Sequence, residues 1–344
     1  MMELSTRRLK LIVLVLLLLA RAATAQRPHT LTGDVRLHTG FHSNILNNDR
    51  DVIVSLPPGY GANGTKHYPV FYMHDGQNLF DGATSFIPGQ EWRVDEVAQS
   101  LIAAGKIEPL IVVGIYNAGV ERVNEYTAAQ DPKFKAGGKA DLYGRFLVEE
   151  LKPFIDKTYR TEKDARHTGL GGSSLGGLIS LYLGLKYPTV FTRIAVVSPA
   201  VWWADNQIVR YTEEQSRRPP LRIWLDIGTK EGRDANEARA AVDGSRLLKK
   251  TLIRKGWEEG KTLKYFEAEG AEHNERAWAA RIDQILEFLF PKNLSSSFQR
   301  SCKISTAHRR HQYPPTPGEA ISYEGNNHLI VMERRASGVG EPVE

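Results

Sequence analysis

The sequence predicts an α/β fold in which helices cover both faces of a mostly parallel central sheet. Strand-like and helix-like stretches alternate from about residue 50 to about residue 290 of the 344-residue chain. Several of the strand-like stretches are nearly continuous apolar runs, which are typical of strands buried on both faces. Alternation of this kind places a helix between successive parallel strands, and it therefore predicts such a sheet.

Seven stretches are predicted to be strands. They are residues 50–58, 68–75, 109–117, 165–173, 193–200, 221–228 and 263–269. Five stretches between them repeat apolar residues at helical spacing. They are residues 91–105, 141–159, 175–187, 237–256 and 276–290. Because no internal repeat and no linker interrupts this series, residues 26–292 are predicted to form one domain.

The first 25 residues have the order of a secretory signal peptide. Arg7, Arg8 and Lys10 precede an unbroken apolar run at 11–20, and small residues end the segment at Ala25. This order predicts cleavage after Ala25 and export to the periplasm or the medium. The apolar run is about half of the roughly 20 residues needed to span a bilayer, so no membrane span is expected after cleavage.

Removal of this segment also removes three of the five units of net positive charge. The full chain has 45 Lys and Arg against 40 Asp and Glu, whereas residues 26–344 have 41 against 39, a net charge of +2. With so small a charge and no basic stripe, a nucleic-acid partner is not expected. Cys302 is the only cysteine, so no internal disulfide can form and stability must come from the hydrophobic core.

The composition changes after Lys292. Residues 293–344 are rich in Ser, Pro and Gly and have no sustained periodicity, so a largely disordered tail is expected. His308 and His311 lie in this segment without a supporting cluster of cysteines or carboxylates. No metal site is therefore predicted from them.

A glycine-rich turn separates a predicted strand from a predicted helix. A P-loop would need a Lys after its glycines, and a dinucleotide-binding loop would need Gly where Ser174 stands. The stretch from Gly172 to Gly176 instead matches G-x-S-x-G, a strained turn that lifts its central serine to the top of the sheet. We therefore expect Ser174 to be a nucleophile, whereas its neighbour Ser173 lacks the glycine spacing.

A serine nucleophile needs a base, and the chain order Ser, acid, His restricts the choice. Six histidines precede Ser174 and three lie in the predicted tail, which leaves His273, between the last predicted strand and helix. The acid should follow the preceding strand, where Asp226, Glu231 and Asp234 stand. We favour Glu231, beyond a Gly-Thr turn, over Asp226, which lies inside the strand and is open to a structural role.

The negative charge of a tetrahedral intermediate needs backbone N–H donors. One donor of this oxyanion hole is expected at Leu175, directly after the nucleophile. The second is expected in the loop after the second predicted strand, at Gln77 or at the neighbouring Gly76. His74 and Asp75 in the same loop are expected to shape it rather than to react.

Eight segments follow one another between about residues 50 and 290. They are LPPGY, YPVFYMHDGQNLFD, EWRVDE, IVVGIYNAGVERVNEYT, GLGGSSLGGLISLY, VVSPAVWW, DIGTKEG and AEHNERAWAARI. Taken together, they resemble the putative-esterase branch of the α/β-hydrolase superfamily. Members of this branch include siderophore esterases of the enterochelin and bacillibactin type, S-formylglutathione hydrolases, feruloyl and acetyl-xylan esterases, and mycolyltransferases. The resemblance implies the α/β-hydrolase fold, with Ser174, Glu231 and His273 as nucleophile, acid and base.

The resemblance also suggests how substrate is held. Four aromatic residues follow predicted strands or begin predicted helices, namely Trp92, Tyr126, Trp202 and Trp203. In the cleft they would suit a flat acyl group or a catecholate, whereas the alternative is that they pack in the core. Arg122 could contact an anionic substrate, and the alternatives are a surface charge or a partner for Glu125.

We therefore expect a secreted or periplasmic serine carboxylic-ester hydrolase that works through an acyl-enzyme and needs no cofactor. Its partner would be a small-molecule or polysaccharide-linked ester, with siderophore, feruloyl and acetyl esters as candidates. One alternative is an acyltransferase of the mycolyltransferase type, in which a sugar hydroxyl replaces water. Another is a non-catalytic binding protein on the same fold, which the complete set of Ser, acid and His argues against.

Overall fold

The computed structural model describes residues 27–62 and 64–292. The predicted signal peptide at 1–25 and the predicted tail at 293–344 lie outside these described residues. Within the described ranges, none of the helices combines the length and the apolar character that crossing a membrane requires. The domain boundaries expected from the sequence stay predictions.

An eight-stranded sheet forms the centre of the fold. The described residues contain ten strands, of which eight form this sheet. The ten are β1 (Asp34–Ser43), β2 (Asn48–Leu56), β3 (Val70–His74), β4 (Ile111–Ile115), β5 (Gln130–Asp131), β6 (Ala136–Gly137), β7 (Thr168–Ser173), β8 (Arg193–Val197), β9 (Arg222–Gly228) and β10 (Leu263–Ala268). The order in the sheet is β1-β2-β4-β3-β7-β8-β9-β10, and β5 pairs separately with β6. Within the large sheet, β2 is antiparallel to both of its neighbours, β1 and β4, and all other neighbours are parallel. The predicted mostly parallel sheet is confirmed.

The helices alternate with the strands along the chain. They are α1 (Val94–Ala103), α2 (Arg122–Glu125), α3 (Ala140–Arg145), α4 (Lys152–Thr158), α5 (Leu175–Lys186), α6 (Trp203–Glu214), α7 (Ala235–Arg254), α8 (Glu275–Ala279) and α9 (Ile282–Leu289). A π-helical segment at Phe146–Leu151 joins α3 to α4, and short 3-10 turns occur at Gly76–Asn78, Gly119–Glu121 and Ala165–His167. All five predicted helices are present, and the last is divided into α8 and α9.

Helices cover both faces of the sheet, as the side chains of the central strand β3 show. All five residues of β3 are buried. Tyr72 packs in one group of buried apolar residues, which includes Ile179 of α5. Phe71 packs in a second group, which includes Leu101 of α1 and Leu286 of α9. Because successive residues of a strand point to opposite faces, these two groups are cores on the two sides of the sheet.

Some elements have no counterpart among the predicted ones. β1 is an edge strand in which only Ser43 is fully buried, so it lacks the apolar run by which the other strands were predicted. The hairpin of β5 and β6 has two residues in each strand, too few for any periodicity. α6 begins with a left-handed turn at Ala204, Asp205 and Asn206, which interrupts the helical spacing of its residues.

The parallel strands determine where a site can form. The carboxyl ends of β3, β7, β8, β9 and β10 meet at one edge of the sheet. Ligands in open α/β sheets bind at this edge, outside the ends of the strands. The loops that leave these five strands contain, in order, Gln77, Ser174, Ser198, Glu231 and His273.

Candidate active site

Ser174 occupies a strained turn between β7 and α5. Its backbone angles are φ 58° and ψ −122°, in a region that non-glycine residues rarely adopt. The turn is held by the neighbouring strand, because the Ser174 N–H donates to the Val197 carbonyl at 3.0 Å. The Ser174 carbonyl accepts from the N–H groups of Leu178 at 3.1 Å and of Ala200 at 3.2 Å. The side chain is thereby presented at the start of α5, as the motif predicts.

The turn rests on the buried side chain of His74. A Cβ atom added at Gly172 would lie 3.0 Å from the His74 Cβ, which is closer than an ordinary contact. His74 Nδ1 lies 2.9 Å from the hydroxyl of Tyr143. Burial lowers the pKa of His74 to about 3, so the imidazole is neutral at physiological pH. His74 therefore packs beneath the turn.

His273 and Glu231 form a hydrogen-bonded pair after the last two strands. His273 Nδ1 lies 2.8 Å from Glu231 Oε2. The Glu231 side chain is 3% exposed, whereas that of His273 is 41% exposed and can meet a ligand. Because Nδ1 is engaged with the carboxylate, Nε2 is the nitrogen left to exchange a proton with a reacting group. The ring also meets Trp278 edge to face, with centroids 5.0 Å apart.

Asp226, the other candidate for the acid, is engaged elsewhere. Its carboxylate is fully buried, with Oδ1 2.9 Å from Arg281 Nη2. Oδ1 also accepts from the Ser198 N–H at 3.1 Å, and Oδ2 accepts from the Trp224 indole N–H at 2.6 Å. Glu231, and not Asp226, is thus the carboxylate in contact with His273.

The two backbone N–H groups expected to form the oxyanion hole both lie at the start of helical turns. Leu175 is the first residue of α5, and Gln77 lies in the 3-10 turn Gly76–Asn78. N–H groups in the first turn of a helix have no partner within that helix. The loop approaches the sheet so closely that a Cβ at Gly76 would lie 2.5 Å from the carbonyl carbon of Gly114. The geometry therefore leaves both predicted oxyanion positions in helical first turns.

Asp75 and Arg122 brace this loop. The carboxylate of Asp75 receives Arg122 Nε at 2.7 Å and Nη2 at 2.8 Å, a bidentate pair. Asn117 Nδ2 donates to the same carboxylate at 2.7 Å. Burial opposes the charge on Asp75, but the Arg122 guanidinium and these hydrogen bonds outweigh it and lower its pKa. The suggested pairing of Arg122 with Glu125 is wrong, because Glu125 instead forms a buried pair with Arg50.

Ser174 lines two adjoining cavities. The larger, of about 960 Å³, is also lined by Glu231 and His273. The smaller, of about 390 Å³, is lined by Leu175 on the side of the expected oxyanion hole. Phe134 and Trp202 line both cavities and lie in contact, with ring centroids 5.8 Å apart. The structure thus brings Ser174, His273 and Glu231 to one cleft with an aromatic wall.

The four aromatic residues expected in the cleft divide into two kinds. Trp92 is 2% exposed and packs on Trp278, and Tyr126 is fully buried against His74, so the expectation that both hold substrate is wrong. Each of these two rings packs on another ring, Trp92 on Trp278 and Tyr126 on His74. Trp202 is 54% exposed and lines both cavities, whereas Trp203 lines the smaller one from a largely buried position.

Three residues of the site have no signal in the sequence pattern. Phe134 lies in the turn between β5 and β6, whose two-residue strands are too short to predict. Ser198 and Arg281 contact each other at 2.8 Å and lie behind Glu231, although they are 83 residues apart. The role of a buried polar residue depends on the groups to which it forms hydrogen bonds, and a single sequence does not show those groups.

Across residues 27–62 and 64–292, no group of three or more His, Cys, Asp or Glu residues is arranged to hold a metal ion. A serine, an imidazole paired with a carboxylate, and two N–H donors are the parts required for acyl transfer through a covalent intermediate.

The eight-stranded sheet, its covering helices and a serine at the strained turn define an α/β hydrolase. The chain matches the model of the family described as "Putative esterase" over residues 43–289, and it belongs to that family. It is therefore a carboxylic-ester hydrolase. The alternative of a non-catalytic binding protein finds no support in these comparisons.

Individual relatives cover the chain to different extents. Bacillus subtilis YbbA is 26% identical over 72% of this chain and 95% of its own length. Ferri-bacillibactin esterase BesA of Bacillus subtilis is 26% identical over 48% of this chain and 60% of its own length. The endo-1,4-β-xylanase/feruloyl esterase of Xylanibacter ruminicola is 26% identical over 69% of this chain, which corresponds to 29% of that longer protein.

Solved structures agree on the fold. The BES protein from Bacillus cereus superposes with a TM-score of 0.60 over 78% of this chain and 98% of its own, at 21% identity. A ferulic acid esterase superposes with a TM-score of 0.57 over 75% of this chain and 98% of its own, at 20% identity. At these identities the likeness concerns the fold.

Proposed function

We propose that this protein is a serine esterase that works through an acyl-enzyme, with Ser174 as nucleophile, His273 as base and Glu231 as acid. One observation carries the proposal: His273 Nδ1 is bonded to Glu231 Oε2 at 2.8 Å in a cavity that Ser174 also lines. A buried carboxylate on Nδ1 fixes the tautomer whose free Nε2 can accept a proton.

The reaction would proceed in two balanced halves. His273 Nε2 takes the proton of the Ser174 hydroxyl while the oxygen attacks the ester carbonyl, and the N–H groups of Leu175 and Gln77 stabilise the resulting oxyanion. The imidazolium returns that proton to the departing alcohol oxygen, which leaves an acyl group on Ser174. In the second half, His273 Nε2 takes a proton from a water molecule while the water oxygen attacks the acyl carbonyl. The imidazolium then gives this proton to the departing Ser174 oxygen, which releases the carboxylic acid and restores the serine.

The two cavities suggest how an ester would lie. Because the leaving oxygen must be reached by His273, we assign the alcohol to the larger cavity, which His273 lines. The acyl group then extends into the smaller cavity, between Phe134, Trp202 and Leu175. An aromatic wall of this kind favours a flat acyl group. One of the relatives is named as a feruloyl esterase, and a feruloyl group is a flat aromatic acyl group of this kind.

The nucleophile is tested by hydrolysis of p-nitrophenyl acetate and butyrate. Ser174→Ala should lower kcat by about 10³-fold or more, as loss of a nucleophile does in related chemistry. Ser173→Ala is the matched control, because Ser173 is an adjacent buried serine in β7 and should keep wild-type kcat. Labelling by a fluorophosphonate, mapped by mass spectrometry, should occur at Ser174. Wild-type turnover by Ser174→Ala would overturn the proposal.

The substrate is tested by a panel of esters ranked by kcat/KM. The panel contains short aliphatic esters, a feruloyl ester, acetylated xylan and a ferric trilactone siderophore. The proposal expects an aromatic acyl ester to exceed acetate esters at equal leaving group. A sugar acceptor added to the same reactions separates hydrolysis from acyl transfer, because transfer would yield acylated sugar in place of free acid.

We also propose that the protein is exported and cleaved after Ala25. The proposal is supported by the basic, apolar and small-residue order of the first 25 residues. Sequencing the amino terminus of protein recovered from the periplasm or medium tests it. Gln26 at the amino terminus is the expected result, and an intact Met1 in an unexported protein would contradict it.

A further inference from the structure

Ser198 lies directly after β8 in a conformation that its residue type disfavours. Its φ is +43°, in the left-handed region, and the residue is 1% exposed. A non-glycine residue is strained in this region and stays there only where the surrounding structure holds it. Two hydrogen bonds maintain it, because the Ser198 N–H donates to the Asp226 carbonyl at 3.0 Å and to Asp226 Oδ1 at 3.1 Å.

The hydroxyl of Ser198 has three partners. It accepts from the indole N–H of Trp278 at 3.0 Å and from Arg281 Nη2 at 2.8 Å. An indole and a guanidinium can only donate, so both acceptor positions of the hydroxyl oxygen are filled. The single hydroxyl hydrogen is left for the third partner, Glu231 Oε1. The direction of the last hydrogen bond is therefore determined by chemistry: Ser198 donates and Glu231 accepts.

Arg281 is the cation of a buried cluster that also contains Ser198 and the carboxylates of Asp226 and Glu231. Its side chain is 2% exposed, and Nη2 lies 2.9 Å from Asp226 Oδ1 and 3.6 Å from Glu231 Oε1. The Gly228 N–H also donates to Glu231 Oε1 at 2.6 Å. One oxygen of Glu231 is thus held by fixed donors, and the other, Oε2, is free to face His273.

We propose that Ser198 is a positioning residue for ester hydrolysis and that Arg281 orients its hydroxyl. Together they keep Glu231 as a hydrogen-bond acceptor and direct Oε2 toward His273 Nδ1. This inference rests on the proposed roles of Glu231 and His273. Ser198 also lines the larger cavity, but its hydroxyl is fully engaged inside the cluster and has no hydrogen bond left for a substrate.

The test compares Ser198→Ala with Ser198→Gly. Both remove the hydroxyl, but glycine accepts a positive φ and relieves the backbone strain, so the folded protein is retained in at least this variant. Ser245→Ala is the matched control, because Ser245 is a buried serine of α7 whose hydroxyl bonds to no residue of the described chain. Activity is measured on p-nitrophenyl butyrate from pH 5 to pH 9.

If Ser198 positions Glu231, both Ser198 variants should lose about 10- to 100-fold in kcat, with KM within two-fold of wild type. The acidic limb of kcat/KM should move to higher pH by about 0.5 unit or more, since a carboxylate that loses a donor holds the imidazolium more strongly. Two other acids near His273, Glu272 in the same loop and Glu275, are unchanged in every variant. Ser245→Ala should match wild type in all of these measurements.

Two results would overturn the inference. One is a wild-type kcat and pH profile in Ser198→Gly. The other is a loss of activity that follows the loss of folded protein, with kcat per folded molecule unchanged. In either case an inactive Ser174→Ala would leave the serine mechanism standing. An active Ser174→Ala would instead refute the mechanism on which this inference rests.

Discussion

Glutamine at position 231 would keep the shape of the side chain and remove the charge that faces His273. Glu231 Oε1 accepts from two donors, the Ser198 hydroxyl and the Gly228 N–H. A glutamine has one accepting oxygen and one donating nitrogen, so its oxygen must occupy this position. Its amide nitrogen then replaces Oε2, 2.8 Å from His273 Nδ1.

This exchange reverses the tautomer of the base. A donor opposite Nδ1 obliges Nδ1 to accept, so the ring proton of His273 moves to Nε2, the nitrogen expected to take the Ser174 proton. A base held in the wrong tautomer loses about 10³- to 10⁴-fold in kcat. At about 1.4 kcal/mol for each factor of ten, the loss of transition-state stabilisation is about 4 to 5.5 kcal/mol. KM should change little, because Glu231 is buried behind the imidazole.

The assay is hydrolysis of p-nitrophenyl butyrate, with kcat, KM and Tm measured for each variant. Asp49→Asn is the matched control, since Asp49 pairs with His42 at 2.7 Å on the exposed surface and should leave kcat unchanged. If Glu231→Gln stays within ten-fold of wild type, Glu231 is not the acid. If Asp226→Asn loses activity in folded protein while Glu231→Gln does not, the acid is Asp226.

Trp202→Ala should raise KM for aromatic acyl esters about 5- to 20-fold, because half-exposed Trp202 forms the cleft wall with Phe134. Acetate esters should change less than two-fold, and equal losses for both would contradict the assignment of the wall to the acyl group. A separate prediction concerns stability, since burial and the neighbouring Glu96 raise the pKa of Asp95 to about 7. A carboxyl whose folded pKa lies above its unfolded value contributes stability that is complete below about pH 4 and is lost as pH rises through 7. Asp95→Asn keeps an oxygen for the Thr32 N–H and hydroxyl, and it should raise the free energy of unfolding at pH 8 by about 1 to 2 kcal/mol while leaving that at pH 4 nearly unchanged. Urea unfolding at the two pH values measures this, and an equal pH dependence in both proteins would refute it.

Local features of the sequence predicted the parts of the site that depend on neighbours in the chain. The turn at Ser174 needs small residues two positions before and two after it, so its glycines reveal it directly. The positions of His273 and Glu231 followed from the order of the elements, because parallel strands bring their ends to one edge. Leu175 and Gln77 were expected after their strands for the same reason, but the 3-10 turn that contains Gln77 was not predicted.

The direction of side chains in the loops was not predictable in the same way. Trp92 and Trp202 both lie in loops near the cleft, yet Trp92 is buried on Trp278 and Trp202 is exposed. Which way each ring points depends on a partner far along the chain. Arg122 illustrates the same limit, because its partner Asp75 is 47 residues away, whereas the only partner that the sequence suggested was the nearby Glu125.

Three properties of this protein follow from its sequence alone: the order of strands and helices, the serine turn, and the candidates for base and acid. These properties depend on periodicity and on local backbone geometry. The choice of Glu231 as the partner of His273, the aromatic wall and the Ser198–Arg281 cluster depend on the tertiary structure. Their physical cause is the satisfaction of buried charges and donors, which requires groups from separate strands to meet at hydrogen-bond distance.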